Sequence, residues 1–150
     1  MPPRPYEILN AGLSEPVRVD KSLTDLNLRE EQSIYQETQL FKEQNPNSIV
    51  INITDDAMEP YLSTGDYVGG IQLFDTNISK YIGKICILEL ENNLILPRYL
   101  HAGSKEGLYI ASCTNHKTKA HVPLNLYNIK VISAAPILWH RKKISSLVEE

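Results

Sequence analysis

The residues best placed to do chemistry lie in one stretch, Ile51-Asn-Ile-Thr-Asp-Asp-Ala-Met-Glu-Pro-Tyr-Leu-Ser-Thr-Gly-Asp-Tyr-Val68. Ile49, Ile51 and Ile53 alternate with Ser48, Asn52 and Thr54, the period-two pattern of a half-buried strand, and Asp55-Asp56 stops it. Met58 to Leu62 reads as a short turn in which Pro60 suits a first helical position, since its missing N–H would be unpaired there anyway. Gly65-Asp66 is a tight-turn signal, after which Tyr67, Val68 and Ile71 restart an apolar run. A strand that hands its last residue to the tip of a turn is a good mount for a reactive side chain.

What that mount carries is less promising. Ser63 and Thr64 follow the motif closely, but neither has an identifiable base beside it, and both suit a turn. Lys80, Lys84 and Lys105 are stray candidates for a base, and a solvated lysine near its usual pKa of roughly 10 is protonated and cannot take a proton. His101, His116, His121 and His140 show no metal-ligand spacing, so no metal or other cofactor is expected. Cys86 and Cys113 fall within or next to apolar runs far apart in sequence and read as small reduced core residues.

The elements that would position this stretch follow from the totals. A chain of 150 residues buries roughly two-thirds of its unfolded surface, enough for one core. With 42% hydrophobic and 22% charged residues the composition is that of an ordinary globular protein. A net charge of −3 leaves no basic footprint for direct nucleic-acid binding. No run approaches the roughly 20 apolar residues of a membrane span, and Met1-Pro-Pro-Arg-Pro lacks the apolar core of a signal peptide, so a cytoplasmic location without membrane contact is expected.

Three regions are expected: residues 1–45 as an arm and short helix, 46–140 as a β domain, and 141–150 as a polar tail. Pro2, Pro3 and Pro5 keep the arm extended, and Asp25 to Lys42 is a plausible surface or partner-binding helix closed off by Pro46. It is no helix-turn-helix: Arg29 is the only positive residue between Lys21 and Lys42, and Glu30, Glu31 and Glu37 would repel phosphate. Short strands are expected at Ile49 to Thr54, Tyr67 to Leu73, Lys84 to Leu90, Leu94 to His101, Gly107 to Ala111, Ala120 to Pro123 and Ile129 to Leu138, which makes the fold mainly β. Glu91-Asn92-Asn93 reads as a hairpin turn in which asparagine tolerates positive φ. Pro97 removes a ladder donor and should lie on a sheet edge or at a bulge. Trp139-His140-Arg141-Lys142-Lys143 reads as a solvated basic cluster past the last strand.

Asp56-Ala57-Met58-Glu59-Pro60 followed by Gly65-Asp66-Tyr67-Val68 resembles the active-site segment of the LexA/UmuD/lambda-repressor peptidase family, whose pattern is roughly Gly-(Asp/Asn)-Ser-Met-x-Pro and then Gly-Asp. Gly83-Lys84-Ile85-Cys86-Ile87 resembles that family's Gly-Asp-Ile-Val strand, and Leu94-Ile-Leu-Pro-Arg-Tyr-Leu100 the strand carrying its lysine. The resemblance runs from about Phe41 to Trp139. It implies a LexA-like C-terminal domain of short, highly curved antiparallel sheets of the β-clip type, with an extended N-terminal arm and a short helix.

The family cuts a chain with a serine activated by a lysine that burial keeps neutral. Here Ala57 stands at the serine position and Pro97 at the lysine position, so the resemblance implies a natural pseudoenzyme. It also makes Ala11-Gly12 a vestigial cleavage site and implies a homodimer paired through Val131, Ile132, Ala134 and Ile137. The expected function is a catalytically inactive dimerisation and protein-interaction module in transcriptional regulation of the phage or stress-response kind. Another regulatory protein is a possible partner, and any DNA contact would belong to it. The alternatives are an active self-cleaving serine peptidase using non-standard residues, and a pseudopeptidase that captures a peptide in the dead cleft.

Overall fold

The computed structural model of the chain describes residues 24–118 and 123–143. Among these residues one helix, α1 (Thr24–Gln44), precedes nine strands: β1 (Ser48–Asn52), β2 (Tyr67–Ile71), β3 (Leu73–Phe74), β4 (Ile85–Leu90), β5 (Ile95–Ala102), β6 (Tyr109–Ser112), β7 (Leu126–Ile129), β8 (Val131–Pro136) and β9 (Trp139–Arg141). They form two antiparallel sheets, one of order β1-β2-β9 and one of order β3-β8-β4-β5-β6-β7. The fold is therefore mainly β, with short 3-10 turns over Asp75–Tyr81 and Glu91–Asn93. As the hairpin reading requires, Asn92 and Asn93 both adopt positive φ.

The three-stranded sheet is a middle layer covered on both sides. Ile49, Ile51, Ile53 and Val68 join Met58, Leu62, Ile87 and Ile95 in the core between the sheets. Across the other face, Val50, Gly69 and Trp139 lie in one cross-strand row, and α1 packs there. Val50 is consequently as buried as its neighbours, where the alternation alone predicts one wet face. The Phe41 ring stacks on Trp139 at 5.7 Å between centroids. A β-carbon on Gly69 would lie 2.9 Å from that ring, so the missing side chain is the seat for Phe41. α1 turns a stripe of Glu30, Ile34, Thr38 and Phe41 inward, at helical spacing.

Three sequence expectations change. The single strand foreseen over Ile129 to Leu138 is broken: Ile129 ends β7, Val131–Pro136 form β8 in another part of the same sheet, and Ile137 and Leu138 are in no strand. The cluster from Trp139 onward is no solvated tail. Trp139–Arg141 form β9, Arg141 Nε donates to Glu37 Oε2 at 3.0 Å, and Lys143 Nζ lies 2.9 Å from Glu31 Oε1. For Lys143, burial would lower the pKa, but the hydrogen bond and charge of Glu31 outweigh it, and the ammonium is held above its ordinary value. Lastly, β8 is an interior strand, paired along its length with β4 on one side and at Ser133 and Ala134 with β3 on the other. Of the residues expected at a two-fold interface, Ala134 is in the core, Val131 and Ile137 are half-buried, and Ile132 is 45% exposed.

The two sheets approach closely at Gly70, where a β-carbon would meet the Pro136 carbonyl oxygen at 2.2 Å. Gly70→Ala must push β2 away from β8, and overpacking of this kind costs about 1–3 kcal/mol. The urea midpoint of that variant is expected to fall accordingly, and a midpoint equal to wild type would show that the sheets can separate without loss.

Candidate functional site

β1 ends by handing Ile53 to a closed loop. The Ile53 N–H donates to the Asp66 carbonyl oxygen at 2.7 Å and the Gly65 N–H to the Ile53 carbonyl oxygen at 2.8 Å, so the chain leaves and returns at one point. Gly65 makes the return with φ of 96°, a conformation that disfavours any side chain. Inside the loop the Ala57 N–H donates to Asp55 Oδ1 at 3.0 Å, and the Tyr61 and Leu62 amides both donate to the Met58 carbonyl oxygen. Pro60, which suited a first helical position in the sequence, lies in this turn after a cis Glu59–Pro60 peptide.

Asp66 is buried and anchors the loop's far end. Its Oδ2 accepts the Ser63 N–H at 3.0 Å, lies 2.7 Å from His140 Nε2, and has Lys142 Nζ at 3.7 Å. Ser63 thus acts through its backbone in the turn, and Thr64 is exposed. His140, which showed no metal spacing, serves instead as a partner of the Gly-Asp step.

Ala57 and Met58 are fully buried in the inter-sheet core. The segment that follows β6 closes over them. The Ala57 carbonyl oxygen accepts the amides of both Thr114 (3.2 Å) and Asn115 (3.0 Å). Thr114 Oγ1 donates to the Glu59 carbonyl oxygen at 2.9 Å and Asn115 Nδ2 to that of Asp56 at 3.0 Å. The Thr118 hydroxyl bonds the Asp56 carboxylate. The carbonyl groups of Asp56, Ala57 and Glu59 are all engaged by this chain's own residues.

Pro97 lies on β5 opposite Ile87 of β4. Its tolerance has a local cause. Leu100 donates its amide to the Lys84 carbonyl oxygen, so the even-numbered amides of β5 point at β4 and the odd ones point away from it. On that far side β6 pairs only Tyr99 to Ala102, so Pro97 lies beyond the paired stretch and no ladder donor is missed. The edge expected from the sequence exists at this residue, although β5 as a strand is interior.

The next residue is the one sequence reasoning missed. Arg98 is fully buried, and its guanidinium reaches three carbonyl oxygens: Pro97 (2.6 Å), Pro123 (2.5 Å) and Leu124 (3.0 Å). Among the described residues no carboxylate pairs with it. Its signal in the sequence was a lone charge inside the apolar run Leu94 to Leu100. Arg98 pins the chain at Pro123–Leu124, while Thr114–Thr118 pin it to the Asp56–Glu59 turn.

Among the described residues no nucleophile–base pair is assembled around Ala57. Lys80, Lys84 and Lys105 are exposed, and Lys105 lines a groove of about 820 Å³ with Ser79, Ile82 and Lys130 that shares no residue with the turn. Among the described residues no three His, Cys, Asp or Glu side chains converge as a metal set. Cys86 and Cys113 are buried free thiols, and burial pushes the Cys86 thiol up to about 12. Ala11, Gly12, His121 and the expected strand from Ala120 lie outside the described residues, except for Pro123, which is in no strand. No helix among the described residues is long and apolar enough to cross a membrane. No protein-family model matches this chain, and no curated protein matches it.

Two measurements follow. Arg98→Met leaves the carbonyl groups of Pro97, Pro123 and Leu124 without this donor, the first of them buried, and is expected to cost roughly 3 kcal/mol in urea unfolding; a loss below about 1 kcal/mol would contradict the pinning role. The Cys86 thiol should resist iodoacetamide at pH 8 in the folded chain and react once urea unfolds it, because the thiolate is the reactive form. Rapid alkylation of Cys86 in the native protein would contradict its burial.

Proposed function

We propose that the chain is a catalytically inactive relative of the LexA/UmuD/lambda-repressor peptidases that works as a dimerisation and protein-interaction module in transcriptional regulation of the phage or stress-response kind. Its role is carried out without a helix-turn-helix of its own in residues 24–44, which form one helix docked on the β1-β2-β9 sheet. The observation that carries the reading is the state of the turn: Ala57 supplies only a methyl group, is fully buried, and has its carbonyl group capped by Thr114 and Asn115. Strand, turn and Gly-Asp step are kept, while Ala57 and Pro97 offer neither a hydroxyl to attack nor an amine to accept a proton.

The same capping weighs against the peptide-capture alternative. An extended peptide added to a strand edge binds through free backbone donors and acceptors. The carbonyl groups of Asp56, Ala57 and Glu59 are already satisfied within the chain. Partner binding is assigned instead to the outer surface, where Ile132 of β8 is exposed, and a second copy of the chain is the first partner proposed.

Incubation at alkaline pH, the condition under which lysine-activated serines are most active, should leave the intact mass unchanged. A cut at Ala11-Gly12 would overturn the inactive reading. Sedimentation over a range of concentrations should show a dimer whose dissociation is promoted by Ile132→Asp, whereas a strict monomer at the highest concentration would remove the homodimer from the proposal.

A further inference from the structure

The strand β9 faces two ways at once. Side chains alternate along a strand, so Trp139 and Arg141 point to one face of the three-stranded sheet and His140 to the other. On the first face, Trp139 stacks on Phe41 of α1, and Arg141 meets Glu30 at 3.5 Å and Glu37 at 3.0 Å. On the second, His140 Nε2 lies 2.7 Å from Asp66 Oδ2, the same oxygen that accepts the Ser63 amide. β9 is also a sheet edge, held through register pairs with Tyr67, Val68 and Gly69 of β2.

The seat of α1 contains polar groups that its own docking does not satisfy. Among the described residues, Thr38 Oγ1 and Gln39 Nε2 are buried without a hydrogen-bond partner. Such groups lower the cost of lifting the helix, since water would satisfy them on release. Burial, reinforced by the charge of Glu31, also raises the Tyr67 hydroxyl pKa, which marks the helix–sheet seam as poorly solvated while α1 is docked.

We propose that β9 is a transmission strand: α1 is a displaceable element whose docking is coupled, through Trp139, His140 and Arg141, to the order of the Ser63–Asp66 turn. A partner that draws α1 off the sheet removes the stack and the carboxylates that position β9. His140 then shifts from Asp66, and the loop between Ile53 and Asp66 loosens. The regulated output is the shape of the Gly-Asp step, whatever the chemistry of Ala57.

Amide hydrogen exchange on the full chain tests this. Phe41→Ala should accelerate exchange at Ser63 and Gly65 by at least about tenfold more than at Leu90 and Gly103, which report on the six-stranded sheet. The milder Glu37→Gln should give the same pattern with a smaller factor, and it serves if Phe41→Ala does not fold. Coupling is reciprocal, so His140→Ala should in turn accelerate the amides of Ile34 and Thr38 in α1. A uniform acceleration at all these amides, or a response confined to the mutated side, would overturn the proposal.

Discussion

The Ala57 carbonyl oxygen receives two consecutive amides, those of Thr114 and Asn115, and most of the site's character depends on that contact. It draws the segment after β6 across the turn, brings Thr114 and Asn115 side chains onto the neighbouring carbonyl groups, and buries the one residue that the motif places at the tip. A buried backbone carbonyl must find a donor, and here the chain supplies its own. Arg98 performs the matching task where the chain returns, with a cation spread over three carbonyl oxygens. Both contacts join residues remote in sequence, so the turn and the segment over it are stable only as a unit.

The rest of the fold holds this unit between two layers. The β1-β2-β9 sheet is thin and is buttressed by α1 on one side and the inter-sheet core on the other. Its glycines are consequential because of what approaches them: a ring at Gly69 and a carbonyl oxygen at Gly70. Close approach of the layers brings Asp66, His140 and Lys142 together at the foot of the turn, where a buried carboxylate without partners would be expensive.

What could be read from the sequence was local. The alternation of Ile49, Ile51 and Ile53, the Gly65-Asp66 return, the asparagine hairpin and the helix from about Asp25 all rest on signals contained in a few residues, and the structure has each of them. What escaped depends on partners far along the chain. Val50 is buried because α1 lands on it, and Trp139–Arg141 form a strand because β2 offers an edge. An apolar run such as Val131 to Pro136 suits an interior strand as well as an interface, and sequence alone does not distinguish them. Arg98 stands out in the sequence only as a lone charge in an apolar run, since its acceptors at Pro123 and Leu124 are brought to it only by the fold.

The motif turn is sealed by the chain itself. Exchange of the Thr114 and Asn115 amides measures this directly, because both are donors in the seal and belong to an otherwise irregular segment. Both are expected to exchange on the order of a thousandfold more slowly than unprotected amides, and in step with each other. Exchange at the rate of an open loop would mean that Ala57 is uncovered in solution and that the turn is available to a ligand after all.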